Sequence, residues 1–129
     1  MLRAKALDHV GLVVSDLDRS LRFYCEGLGL ELLRRSGPKA DGVSSAVLKV
    51  GTQEINVFCD PHGGSAQGSG TERIHHFCLA MESGGIDEVA IALGRAGIEI
   101  AKGPVQRRDG VSLFVEDPDG IRVELSIKN

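Results

Sequence analysis

The sequence predicts an α+β fold made of one unit, strand–helix–strand–strand–strand (βαβββ), written twice in tandem. The chain has 129 residues, the size of one ordinary domain. Self-similarity at a fixed offset indicates a repeated structural unit. Three pairs of stretches match in the same order, at offsets of 67 to 69 residues: 7–14 with 74–81, 28–32 with 96–100, and 51–58 with 120–127. A single domain over 1–129, built from two half-size copies, follows.

Module one, residues 5–59, begins with an apolar strand over 7–14. Ser15 or Asp16 can cap the next helix, because their side-chain oxygens accept hydrogen bonds from free amides of its first turn. One face of that helix is apolar at α-helical spacing: Leu17, Leu21, Tyr24 and Leu28. Glycines then end the helix, and three strands are predicted to follow: Leu30–Arg35, Val43–Val50 and Glu54–Cys59.

Module two, residues 74–129, repeats this order after a Gly- and Ser-rich linker over 60–73. A strand is predicted over 73–81, and a helix follows whose apolar face recurs every three or four residues: Ile86, Val89, Leu93 and Ala96. Three further strands are predicted: Ile98–Lys102, Val111–Glu116 and Ile121–Ile127. The last strand is preceded by an Asp-Pro-Asp-Gly turn. In such a turn Pro restricts φ at the second position, and Gly gives conformational freedom at the last position.

Composition excludes several function classes. Aromatic residues make up only 4% of the chain and the net charge is −3, which argues against a nucleic-acid-binding surface. No apolar run reaches the length of a membrane span, and no signal peptide is recognisable, so no membrane partner is expected. The three cysteines are widely spaced, as in a reduced, cytoplasmic protein.

The candidate metal ligands are His9, His76 and Glu124. Side chains alternate along a strand, so each histidine shares its face with small residues that leave room for a non-protein group. A carboxylate inside an apolar strand is costly to bury without a partner. Two imidazoles and a carboxylate suit a divalent ion such as Zn, Ni, Mn or Fe(II). Considered alone, either histidine could be an ordinary core residue, and Glu124 could simply pair with Arg122. The duplication of the module favours a metal site instead.

These stretches resemble the vicinal oxygen chelate superfamily, also called the glyoxalase/bleomycin-resistance/dioxygenase fold. The resemblance is carried by 7–17, 23–30, 74–77 and 114–125, the last including the Asp-Pro-Asp-Gly turn and the Val-Glu-Leu that follows it. It implies paired βαβββ modules that form an incomplete barrel around a metal cleft, usually in a homodimer. By this match His9, His76 and Glu124 fall on metal-ligand positions.

The fourth ligand position is left open. Glyoxalase-type members usually carry a Glu on the fourth strand, where this chain reads Gln-Glu-Ile-Asn-Val-Phe over 53–58. Aligning the glycines pairs Glu124 with Ile55, whereas matching the apolar alternation pairs it with Asn56 and puts Glu54 on the same face. Asn56 is therefore the predicted fourth ligand, with Glu54 as the alternative. An amide oxygen can ligate weakly but cannot act as a base, and Asn56 could equally be a polar lining residue.

The leading functional hypothesis is a metal-dependent, glyoxalase-like enzyme. As the resemblance implies, a lactoylglutathione lyase-type lyase or isomerase would act on a small-molecule substrate with vicinal oxygens, with Glu124 as ligand and catalytic base. One alternative is an Fe(II)-dependent extradiol-type dioxygenase, and another is a metal-free protein that binds a small molecule or antibiotic. The charged stretch 107–110 is expected to be a solvated turn, although its arginines could bind an anionic substrate.

Overall fold

The computed structural model describes Arg3 and residues 7–60, 75–82 and 85–128. The described part of the chain contains eight strands and two α-helices, the first helix continuing as a π-helical segment over Arg22–Gly27. In chain order the elements are β1 His9–Val14, α1 Leu17–Leu21, β2 Glu31–Ser36, β3 Ser44–Val50, β4 Gln53–Cys59, β5 Phe77–Ala80, α2 Ile86–Arg95, β6 Lys102–Arg107, β7 Gly110–Glu116 and β8 Arg122–Lys128.

The duplicated architecture is confirmed by the topology. The described strands form two four-stranded sheets rather than one closed barrel, ordered β1-β4-β3-β2 (sheet A) and β5-β8-β7-β6 (sheet B). In each sheet the first strand of the module pairs in parallel with the last, and the other pairs are antiparallel. The two modules are therefore built in the same strand order.

The start of the first helix shows which of the two candidate residues caps it. Asp16 does, since its Oδ1 accepts a hydrogen bond of 3.0 Å from the amide of Arg19. The predicted apolar face of this helix is buried. Beyond α1 the backbone widens, and Leu28 N donates to Phe23 O at 3.0 Å, the five-residue spacing of a π-helix.

The predicted sixth strand, Ile98–Lys102, is wrong. Ile98 and Ile100 are half-buried against the core, which explains their apolar alternation, but they precede the strand. The ladder with β7 begins with Lys102 opposite Phe114, and β6 continues to Arg107. Arg107 is therefore a strand residue rather than part of a solvated turn.

The fifth strand is shorter than the predicted 73–81. β5 covers Phe77–Ala80, and His75 and His76 lie directly before it. The predicted linker over 60–73 lies, apart from Asp60, outside the described residues.

A buried polar contact joins the two modules. Tyr24, on the helical segment of module one, is fully buried and donates through its hydroxyl to Asp117 Oδ2 at 2.8 Å. The other oxygen of Asp117 accepts the amides of Asp119 and Ile121. Burial raises the pKa of both the Tyr24 phenol and the Asp117 carboxyl. The turn that leads into β8 is thereby fixed against module one.

None of the helices in the described ranges is long and apolar enough to cross a membrane.

Candidate metal site

His9 lies on the open face of sheet A. Along β1 the side chains of Leu12 and Val14 enter the core, while His9, Gly11 and Val13 lie on the exposed side. The His9 side chain is 49% exposed, and its Nδ1 lies 2.8 Å from Asp8 Oδ2. The strand therefore presents an accessible imidazole beside a glycine.

His76 and Glu124 are in direct contact on sheet B. His76 Nε2 lies 3.1 Å from Glu124 Oε1, and the Glu124 side chain is only 12% exposed. The other carboxylate oxygen, Oε2, accepts a hydrogen bond of 2.7 Å from Ser112 Oγ. These contacts compensate the burial of a carboxylate within a strand whose opposite face is apolar.

His75 contacts the opposite nitrogen of the His76 ring. The two Nδ1 atoms lie 2.8 Å apart, so one ring must donate and the other accept. Such a hydrogen bond to the second ring nitrogen fixes the orientation of a ligating histidine. It leaves His76 Nε2 as the nitrogen directed at Glu124.

Strand register decides between the two alignments of β4. In sheet A, Gly11 of β1 is the Cα partner of Asn56 of β4. In sheet B, Cys78 of β5 is the Cα partner of Glu124 of β8. Gly11 follows His9 by two residues, as Cys78 follows His76. Asn56 is therefore the structural counterpart of Glu124, and the alignment on apolar alternation agrees with the register.

The alternative fourth ligand, Glu54, lies two residues before Asn56 on the same face of β4. It is the Cα partner of His9 itself, which makes it the counterpart of Arg122 rather than of Glu124. Asn56 Oδ1, by contrast, is buried and has no hydrogen-bond partner in the described part of the chain. A buried acceptor without a donor is costly, and a cation at this face would satisfy it.

The four predicted ligands form two half-sites. We call His9 with Asn56 the first half-site, on sheet A, and His76 with Glu124 the second, on sheet B. Within the described ranges no group of three or more His, Cys, Asp or Glu side chains lies close enough together to hold a metal ion. The single chain thus brings together the second pair but not all four residues.

Two side chains beside Glu124, Ser112 and Phe114, were not predicted from the sequence. Arg107 was named in the charged stretch 107–110, but its contact with Glu124 was not predicted. The Asp-Pro-Asp-Gly turn pairs β7 with β8 so that Phe114 is opposite Glu124, and Ser112 is on the same face by alternation. Both residues could have been predicted from the sequence, because the turn sets the register between β7 and β8. Arg107 Nη2 lies 3.5 Å from Glu124 Oε2, whereas Nη1 of Arg122, the expected partner of Glu124, lies 3.5 Å from His75 Nε2.

A cleft of about 1020 Å³ opens beside β1. Its lining includes His9, Glu54 and Cys78, together with the start of β2 and the β3–β4 turn. The volume is that of a typical small-molecule pocket. His9, one member of the first half-site, therefore borders a cleft that is large enough for a small molecule.

Comparison with known proteins gives a consistent result. The family model described as the Glyoxalase/Bleomycin resistance protein/Dioxygenase superfamily matches residues 6–125. A lactoylglutathione lyase of Haemophilus influenzae is 34% identical over 130 aligned positions, covering 90% of this chain and 87% of that protein. One of Arabidopsis thaliana is 32% identical over 91% of this chain, but the chain spans only 42% of its length.

The same fold occurs in a solved structure. The structure of a glyoxalase family protein from Enterococcus faecalis superposes with a TM-score of 0.75 at 26% identity, over 95% of this chain and 97% of that one.

Proposed function

Since the chain belongs to the Glyoxalase/Bleomycin resistance protein/Dioxygenase (vicinal oxygen chelate) superfamily, we propose that it is a metal-dependent lyase or isomerase. Its substrate would be a small molecule with vicinal oxygens, as for the relatives named lactoylglutathione lyase. The observation that carries the proposal is the register: Asn56 and Glu124 occupy equivalent places, each beside a histidine at the start of its module.

The donor set of the two half-sites fits a divalent cation. It consists of two imidazoles, one carboxylate and one amide oxygen. That amide oxygen, Asn56 Oδ1, accepts no hydrogen bond within the described residues. His9, Asn56, His76 and Glu124 would hold the ion. When bound, the ion supplies Lewis acidity that stabilises negative charge developing on a substrate oxygen.

Proton transfer falls to Glu124. Asn56 has no titratable proton, so this chain offers one carboxylate where a symmetric site would offer two. Ser112 Oγ donates to Glu124 Oε2 at 2.7 Å, which leaves Oε1 directed at His76. Glu124 thus accepts the substrate proton through an oriented carboxylate, and Ser112 is its positioning residue.

The complete site is assembled from two copies of the single 1–129 domain. Beside the first half-site, Val13 and Phe58 are Cα partners across β1 and β4 and are 52% and 41% exposed. This apolar, open face carries half of a donor set, and sheet B of a second copy carries the complementary half. A homodimer would cover the apolar residues and bring the four ligands together.

Metal analysis of protein purified without a chelator or a histidine tag tests the proposal. We expect about one divalent ion per chain, and turnover of a hemithioacetal after loading with Ni, Zn or Mn. Glu124→Gln replaces a charged ligand oxygen by a neutral one and Asn56→Ala removes a ligand, so each variant should bind metal roughly 10-fold or more weakly. Glu54→Gln is the matched control and should bind as wild type does.

Other outcomes identify the alternatives. Stoichiometric metal without hemithioacetal turnover contradicts the lyase or isomerase assignment, and oxygen uptake with catechols after anaerobic Fe(II) loading would replace it with the dioxygenase. Absence of metal, together with small-molecule binding that survives His9→Ala, would instead establish a metal-free binding protein.

A further inference from the structure

Four side chains on sheet B form a continuous series of contacts that runs from Arg122 to Glu124. Arg122 Nη1 lies 3.5 Å from His75 Nε2, and His75 Nδ1 lies 2.8 Å from Nδ1 of His76. His76 Nε2 in turn lies 3.1 Å from Glu124 Oε1. We call this series the relay. A guanidinium only donates hydrogen bonds, an ionised carboxylate only accepts them, and a neutral imidazole makes one of each kind, so the two ends of the relay fix its direction.

The direction of the relay assigns one proton to each imidazole ring. Because Arg122 donates to His75 Nε2, the single proton of His75 is on Nδ1. That proton is donated to His76 Nδ1, so the single proton of His76 is on Nε2, from which it is donated to Glu124. Every contact of the relay is then satisfied while both imidazoles stay neutral. The nitrogen of His76 that would ligate a cation therefore carries a proton and has no free lone pair.

Module one has the opposite arrangement at the equivalent position. Asp8 precedes His9 as His75 precedes His76, and Asp8 Oδ2 lies 2.8 Å from His9 Nδ1. Since the carboxylate accepts, the proton of His9 is on Nδ1 and its Nε2 has a free lone pair. The first half-site thus presents a nitrogen that is ready to ligate, whereas the second half-site does not.

Ligation through His76 Nε2 requires the relay to reverse. One proton leaves His76 Nε2, the shared proton passes from His75 Nδ1 to His76 Nδ1, and His75 takes up one proton at Nε2, so the number of bound protons is unchanged. His75 Nε2 then faces the guanidinium of Arg122 as a second donor, and the contact between them is lost. An alternative partner is directly opposite on β7: Glu116 is the Cα partner of Arg122, is exposed, and has no ion pair within the described residues.

We propose that Arg122 is a positioning residue that acts through His75 to hold His76 in the tautomer that cannot ligate a cation. Arg122 must release His75 before the second half-site can close on an ion. It therefore weakens cation binding, although it contacts no predicted ligand itself. The inference rests on the proposed function only in taking His76 Nε2 as a ligating atom.

Heteronuclear NMR of the nitrogen-labelled, full-length protein tests the direction of the relay, because long-range couplings show which ring nitrogen carries the proton. In the metal-free protein we expect the proton of His75 on Nδ1 and that of His76 on Nε2. After Zn²⁺ is added, both assignments should be reversed. A metal-free protein in which His75 carries its proton on Nε2 would overturn the inference.

Titration with Zn²⁺ tests the effect of Arg122 on affinity. Arg122→Met removes the donor, and should lower the dissociation constant for Zn²⁺ about 3- to 10-fold, the equivalent of one hydrogen bond. Arg122→Lys keeps a cation that only donates and should bind Zn²⁺ as wild type does. Arg95→Met, which removes an arginine from the last turn of α2, is the matched control for the loss of one charge and should also bind as wild type does.

A double variant separates the hydrogen-bond effect from repulsion between the arginine and the ion. In a His75→Phe background the link from Arg122 to His76 is already broken, so Arg122→Met should no longer change the dissociation constant for Zn²⁺. An equal decrease with and without His75, or unchanged affinity in Arg122→Met alone, refutes the inference and leaves the proposed function intact. Failure of wild type to bind Zn²⁺ contradicts the proposed function instead, while the metal-free spectrum still decides the direction of the relay.

Discussion

Asn56 defines the chemical asymmetry of the site. Its place is equivalent to that of Glu124, but an amide oxygen carries no charge and takes up no proton. Its buried Oδ1 has no hydrogen-bond partner in the part of the chain that the structure describes, so this oxygen is suited to coordinate a cation. In the proposed site Glu124 would therefore be the one carboxylate that transfers a proton, so the groups that orient it would matter more.

The burial of Asp117 beside Tyr24 predicts that the stability of the fold depends on pH. Burial raises the pKa of Asp117 above its ordinary value of 3.8, so the folded state binds its proton more tightly than the unfolded state does. Stability from this group is greatest at low pH and falls as pH rises from about 4 through the raised pKa. Asp117→Asn removes this titration while keeping an acceptor for the two amides.

The measurement is the free energy of unfolding in urea at pH 4, 5, 6 and 7. The variant minus wild-type difference should shift in favour of the variant as pH rises. A difference that stays constant across this range would show that Asp117 does not titrate with a raised pKa.

Most elements could be predicted from local pattern, because apolar periodicity and turn residues dictate them. The apolar face of the first helix and the strands of the first module fall close to their predicted places. In the second helix Val89 and Leu93 are buried as predicted, but Ala96 is the exposed C-cap. β6 could not be predicted. Ile98 and Ile100 alternate like a strand although they only pack on the core, whereas Lys102–Arg107 contains a Gly-Pro step and a bulge that break the two-residue period.

A substitution at Gly103 tests whether the backbone at the β6 bulge requires glycine. Gly103 has φ +113, and an added Cβ would lie 2.8 Å from Ser112 O. Gly103→Ala should therefore lower the free energy of unfolding by about 1–3 kcal/mol. Chemical denaturation of the purified variant measures this effect.

Gly94 supplies the control for this substitution. It lies within α2, and nothing is within 4 Å of an added Cβ. Gly94→Ala should stabilise the protein by roughly 0.5–1 kcal/mol, because alanine favours a helix interior. Equal stability changes at the two positions would contradict a strained bulge.

At the scale of the whole molecule, the repeat predicted the candidate ligands but not their assembly. His9, His76 and Glu124 follow from residue type and alternation. Asn56 was predicted from the apolar alternation, although the glycine alignment pointed to Ile55, and the β1–β4 register supports Asn56 as the counterpart of Glu124. The distribution of the ligands over two sheets depends on how the modules pack, and the periodicity of the sequence carries no information about this packing.

The most direct test of this account is the metal content of a mixed dimer made from a His9→Ala chain and a His76→Ala chain. If each site joins module one of one chain to module two of the other, the mixed dimer contains one intact site and one doubly altered site. We predict one tightly bound divalent ion per mixed dimer, against two in wild type and none in either homodimer. A mixed dimer that binds no metal, or a wild-type protein that stays monomeric and still binds one ion, would contradict the account.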